Sequence, residues 1–133
     1  MNSWLQSLRV QVIGVVVRGA GPESTRAFQF DPTGDATADL PGFTPVADNS
    51  LALAFAGVRF NASTAPTVAP VTGSRFTEVG EVSEGRAAVI NFTGWVGRYA
   101  LTGQGGLAQP ADQLALTGAN AVDASYVLVF PPA

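Results

Sequence analysis

The chain has 133 residues, a formal net charge of −3 and a charged fraction of 13%, about half of what globular chains usually carry. All seven basic residues are arginine, and there is no lysine, histidine or cysteine. That excludes a Ser–His dyad, a thiol nucleophile, a Schiff-base lysine, a P-loop, histidine metal sites and disulfides, while the negative balance argues against nucleic acid or an anionic membrane as ligand.

The length suits one domain with a proper core. The opening Met-Asn-Ser-Trp-Leu-Gln-Ser lacks a basic leader, and Val10 to Val17 is too short to cross a bilayer, so neither secretion signal nor anchor is expected. With 47% apolar residues and few charges, the surface should be sticky, which points to assembly with other chains.

Residues 1–7 read as an N-terminal arm or a short helical turn capped by Ser3 and Gln6, and 8–133 as a single β-sandwich domain. Leu8 to Val17, rich in β-branched residues, predicts a first strand covered on both faces. Arg18-Gly-Ala-Gly-Pro ends it. Phe28 and Phe30 around Gln29 predict a short strand, and Ala36 to Leu40 another of small residues. Asp48-Asn49-Ser50 is turn chemistry.

The stretch that organises the chain follows it. Leu51, Leu53 and Phe55 alternate with Ala52, Ala54 and Ala56, so one face of a central strand is bulky and the other methyl-lined. The bulky face is expected to fill the core, and the all-alanine face either to be packed closely from behind by a thin layer or to await a partner.

Residues 61–74 are long for a loop and rich in Pro, Ser and Thr, a candidate for subunit contact. Phe76 to Val82 predicts a strand, Glu84-Gly85-Arg86 a hairpin turn, and Ala87 to Trp95 a long strand. Gly94 and Gly97 should bracket a bend, Leu114 to Leu116 should form a short edge strand, and Ala124 to Phe130 should close the fold. Eight or nine strands with regular turn signals predict an all-β, antiparallel two-sheet sandwich of jelly-roll or immunoglobulin-like type.

Candidate chemistry is sparse. Glu78, Glu81 and Glu84 are three apart, a spacing that sends successive strand residues to opposite faces, so they read as a solvated edge. Asp31, Asp35 and Asp39 recur around a turn and could offer oxygen to Ca²⁺, but the spacing does not match an EF-hand and turn capping explains them better. Trp95, Arg98 and Tyr99 beside glycines could stack on a sugar, or could complete the core. Gly103 to Gly106 lacks the helix and lysine that phosphate binding needs. No cofactor or metal is called for. Candidate subunit-contact residues are Trp4 and Leu5 on the arm, Ala52, Ala54 and Ala56 on the methyl face, and Pro66, Val68 and Pro70 in the long loop.

Three segments together carry a resemblance. They are Leu40-Pro-Gly-Phe-Thr-Pro-Val-Ala-Asp-Asn-Ser-Leu-Ala-Leu-Ala-Phe-Ala, Gly73-Ser-Arg-Phe-Thr-Glu-Val-Gly-Glu-Val, and Ala121-Val-Asp-Ala-Ser-Tyr-Val-Leu-Val-Phe-Pro-Pro-Ala. In that order, over about 12–133, they resemble β-sandwich structural proteins of tailed bacteriophages, of decoration, minor tail or fibre type. The matched positions are turn and core residues, so no catalytic or binding residue is carried over. The resemblance implies a non-enzymatic virion protein made in the host cytoplasm and placed on the outer surface of head or tail. A capsid decoration (cement) subunit is the first expectation, and a tail or head-fibre component or glycan-binding module the alternative. Expected partners are copies of itself, as a trimer or other oligomer, and the major capsid or tail protein.

Overall fold

A computed structural model of the chain describes residues 13–60, 67–83, 91–118 and 122–133, with Asn91 as backbone only. Among these, regular structure is entirely β: β1 (Thr25–Asp31), β2 (Thr37–Leu40), β3 (Leu51–Phe60), β4 (Val68–Pro70), β5 (Thr77–Ser83), β6 (Asn91–Ala100), β7 (Asp112–Leu116) and β8 (Val122–Phe130). They form a five-stranded sheet in the order β1-β8-β3-β6-β5 and a three-stranded sheet in the order β2-β7-β4, antiparallel throughout.

The pairing is nested. The first strand lies beside the eighth, the second beside the seventh and the third beside the sixth, as when one long antiparallel ribbon is folded over on itself. Of the two sandwich types anticipated, that nesting is the jelly roll. One strand departs from it: β5 pairs with β6 in the larger sheet instead of extending the smaller one beyond β4. A side chain still links the two, since the Val68 amide donates to Glu81 Oε2 at 2.7 Å.

Turn chemistry places the central strand as the sequence implies. Asn49 adopts φ = 56°, a left-handed conformation that its short polar side chain tolerates, and Ser50 Oγ donates to the Ala47 carbonyl at 2.7 Å. β3 then runs through the middle of the larger sheet, paired with β6 and β8.

The bulky face is the outer one, against expectation, and of the two readings of the alanine face the closely packed one holds. Ala52, Ala54 and Ala56, with Val58 and Phe60, point into the core between the sheets, while Leu51, Leu53 and Phe55 point outward. The neighbours repeat the inversion: Val127 and Val129 of β8 are fully buried, and Tyr126, Leu128 and Phe130 alternate with them on the outer side. The reason is Trp95. It sits opposite Ala56, is 0% exposed, and lies over Gly97, where a methyl group would stand 2.7 Å from its Cζ2 and 2.8 Å from its Cζ3. The smaller sheet adds Leu40, Leu114, Leu116 and Val68, and Phe43 and Phe76 join the same core. With that volume supplied from elsewhere, only methyl groups fit on β3, because interiors pack to near-crystalline density.

Polar groups brace the two layers. The Asp39 carboxylate accepts from Gln29 Nε2 at 3.2 Å and Gln113 Nε2 at 2.8 Å, and its carbonyl accepts from Ser125 Oγ at 2.6 Å, joining β1 and β8 to β2 and β7. Arg75 ties the loop before β5 to Asp112 at 3.5 Å.

Several sequence expectations change. Ile13 to Val17 is not a strand within either sheet but lies against the outer side of the larger one; Leu8 to Val12 falls outside the described residues. β7 is the middle strand of its sheet, not an edge, because β2 and β4 flank it. The long loop contains β4, and β6 runs straight through Gly94 and Gly97 to Ala100. The helical turn at 1–7 and the hairpin turn at 84–86 lie outside the described residues.

Candidate interaction face

Residues directly opposite one another in a ladder share a face, so the register writes out the outer surface of the five-stranded sheet row by row. One row is Phe28, Tyr126, Phe55 and Val96; the next is Phe30, Ala124, Gly57, Gly94 and Val82; a third is Val122, Arg59 and Phe92. On the other side lies Arg26, Leu128, Leu53 and Arg98. Phe28, Phe30, Phe92 and Tyr126 are 55, 56, 43 and 46% exposed, and the Phe28 and Tyr126 rings pack with centroids 4.9 Å apart.

Part of this face is covered. Val15, Val16 and Val17 line a groove of about 410 Å³ with Leu51, Leu53 and Arg98, and Ile13 lines one of about 330 Å³ with Phe55, Gly57, Phe92 and Tyr126. Leu53 and Val96 are accordingly buried although they lie outside the intersheet core. Among the described residues nothing covers Phe28 and Phe30 on the β1 side. Four rings at about half exposure leave on the order of 400 Å² of aromatic surface, a gross driving force of about 10 kcal/mol if wholly buried, before the costs of association.

The sequence-derived candidates fall elsewhere. Ala52, Ala54 and Ala56 are 0, 0 and 5% exposed, so the methyl face is core and cannot meet a partner; Val68, at 2%, is core as well. Pro70 is half-buried at the end of β4, and Trp4, Leu5 and Pro66 lie outside the described residues. The three residues considered for sugar stacking are separated. Trp95 has no exposed ring face, and its Nε1 donates to Glu78 Oε2 at 3.1 Å. Tyr99 packs edge-on against Phe76 with centroids 5.9 Å apart, under the Arg75 guanidinium, and donates to Gln104 Oε1 at 3.2 Å. Arg98 is exposed on the opposite side of the sheet.

The carboxylates are also redistributed. A register shift between Glu78 and Gly80 turns Glu78 and Glu81 to the same side, opposite Gly97 and Trp95, where simple alternation would have separated them. Each has a structural use there, one on Trp95 and the other on the Val68 amide; Glu84 lies outside the described residues. Among the described residues no three acidic side chains gather where a metal could bind. Asp31 and Asp35 cap the amides of Thr33 and Thr37 at 2.7 and 2.8 Å, while Asp39 braces the sheets.

The hydrogen bonds from the Thr33 hydroxyl and amide hold the Asp31 carboxyl below its ordinary pKa. A carboxylate with a lowered folded-state pKa contributes stability above its unfolded value, and that contribution disappears as pH falls through the folded value. Carbon-detected NMR titration should therefore place Asp31 below the ordinary aspartate range, and Thr33→Val should move it upward.

The aromatic face is what sequence reasoning missed. Phe28 and Phe30 two apart on a strand were a signal, but their exposure depends on which side the second sheet covers. Comparison of the chain with protein-family models, with curated proteins and with solved structures gives no match.

Proposed function

We propose that this chain is a non-enzymatic structural subunit that works by burying the outer face of its five-stranded sheet against other proteins. The observation that supports this is the run of Phe28, Phe30, Tyr126 and Phe92 on a face whose other side is a completed core. The largest apolar patch on a protein surface, typically about 300–600 Å² even on a monomer, is often functional.

More particularly, we propose a virion protein of tailed bacteriophages, and within that class a capsid decoration subunit. This step rests on the resemblance of the three sequence segments and on a surface with few charges to keep subunits apart. Such a protein acts by area, since a specific contact typically buries about 1,200–2,000 Å² in total.

The test is co-sedimentation of the purified chain with heads, and separately with tails, from the phage or prophage that encodes it. Saturable binding to heads is expected. Joint replacement Phe92→Ser and Tyr126→Ser should weaken it by about tenfold or more, as loss of aromatic anchors does. Binding to tails alone would move the protein to the tail, and absence of binding to both would overturn the virion reading.

A further inference from the structure

Among the described residues four strands stand at sheet edges: β1 and β5 in the larger sheet, β2 and β4 in the smaller. A bare edge is a template for pairing with another chain, and proteins blunt such edges with bulges, charges, prolines or short strands. Three of the four are blunted in these ways. β5 carries the bulge after Glu78 and two glutamates; β2 has 4 residues; β4 has 3 and ends in Pro70.

β1 is the least guarded. It spans 7 residues, Thr-Arg-Ala-Phe-Gln-Phe-Asp, with no bulge against β8 and no proline, and its charges are one arginine, Arg26, and the terminal Asp31. Among the described residues its backbone hydrogen bonds go to β8 alone. It also borders the open part of the aromatic face, with Phe28 and Phe30 the most exposed of the four rings.

We propose that β1 pairs antiparallel with β1 of a second copy, joining the two five-stranded sheets into one. The register follows from geometry. Outer-face residues must stay opposite outer-face residues, and the register that pairs all seven positions sets Phe28 opposite Phe28 of the second copy. Arg26 then faces Phe30, a cation–π arrangement, and Thr25 faces Asp31. Arg26 is 66% exposed at its side chain and is now held by Glu23, with Nε to Oε1 at 3.0 Å, so it lies free of the core. The seam makes a continuous aromatic stripe, Tyr126–Phe28–Phe28–Tyr126, across both copies. The inference supplies the copy-to-copy contact of the assembly role proposed above, and rests on that reading for its purpose but not for its geometry.

The chain has no cysteine, which makes the test clean. Phe28→Cys places two thiols at facing strand positions, about 4.5–5.5 Å apart between Cα atoms, within disulfide range. Mild oxidation should give a covalent dimer rapidly, and Thr77→Cys on the guarded β5 edge should not. Sedimentation equilibrium should show a dimer for the unmodified chain. Phe28→Lys, which sets like charges opposite each other at an exposed site, should weaken it by about tenfold or more while the circular dichroism stays unchanged. A chain that remains monomeric at tens of micromolar, or that cross-links equally from positions 28 and 77, overturns the proposal. Because no particle enters this experiment, its failure leaves binding to heads untouched, and a failure to bind heads leaves the dimer standing.

Discussion

Replacing Trp95 by alanine should lower the stability of the protein by about 3–5 kcal/mol, the range for removing a large aromatic side chain from a closed core. Three features put it there. The ring is fully buried, its Nε1 donates to Glu78 Oε2 at 3.1 Å, and it covers the backbone at Gly97. Truncation therefore empties the middle of the sandwich and leaves Glu78 without its indole donor. Urea unfolding would show the loss as a lower midpoint at nearly constant slope. Gly97→Ala is the complementary change, because its methyl group would collide with the same ring; overpacking of this kind costs about 1–3 kcal/mol. If Trp95 stood on the surface as a stacking platform, its loss would change stability by no more than about 0.5 kcal/mol. An unchanged midpoint for Trp95→Ala would place the indole outside the core.

Ala54→Phe should be the second most damaging change, at about 3 kcal/mol, the upper part of the usual overpacking range. Ala54 is 0% exposed, between Gly97 on β6 and Val127 on β8, with no space for a ring under the facing sheet. On an exposed methyl-lined face the same substitution would cost almost nothing. Phe30→Ser on the outer face provides the contrast: a ring 56% exposed should cost less than about 1 kcal/mol on removal. Denaturation midpoints of the two variants, measured side by side, decide which face of the sheet is the inside. Equal tolerance at both positions would overturn the inverted assignment.

That inversion also shows how much of the molecule was legible in its residues. Strand positions along β1, β2, β3 and β8 followed from alternation and from turn residues such as Asn49, because those signals are local. The sense of alternation is not local. A strand with Leu51, Leu53 and Phe55 on one side and alanines on the other has two faces of period two, and nothing within the strand says which faces inward. Size suggests the larger side chains. The larger ones are outside because Trp95 fills the inner space, and Trp95 is 39 residues further along the chain than Ala56, the residue it meets across the ladder.

The same limit applied to the site. Glu78 and Glu81 share a side only because of a bulge, a feature set by pairing with β6. Trp95, Arg98 and Tyr99, neighbours in sequence, end on two sides of a sheet because successive strand residues point oppositely. Phe28 and Phe30 form a surface because β1 is an edge and the smaller sheet covers only the other side.

By itself, then, the amino-acid order determined that this chain folds as two antiparallel β layers, that its side chains exclude thiol, imidazole and lysine amine chemistry, and that its charge is low. Those properties follow from residue type and short-range spacing. Which side chains became core and which stayed exposed was decided only when distant strands met, since burial is a property of neighbours that the local sequence does not contain.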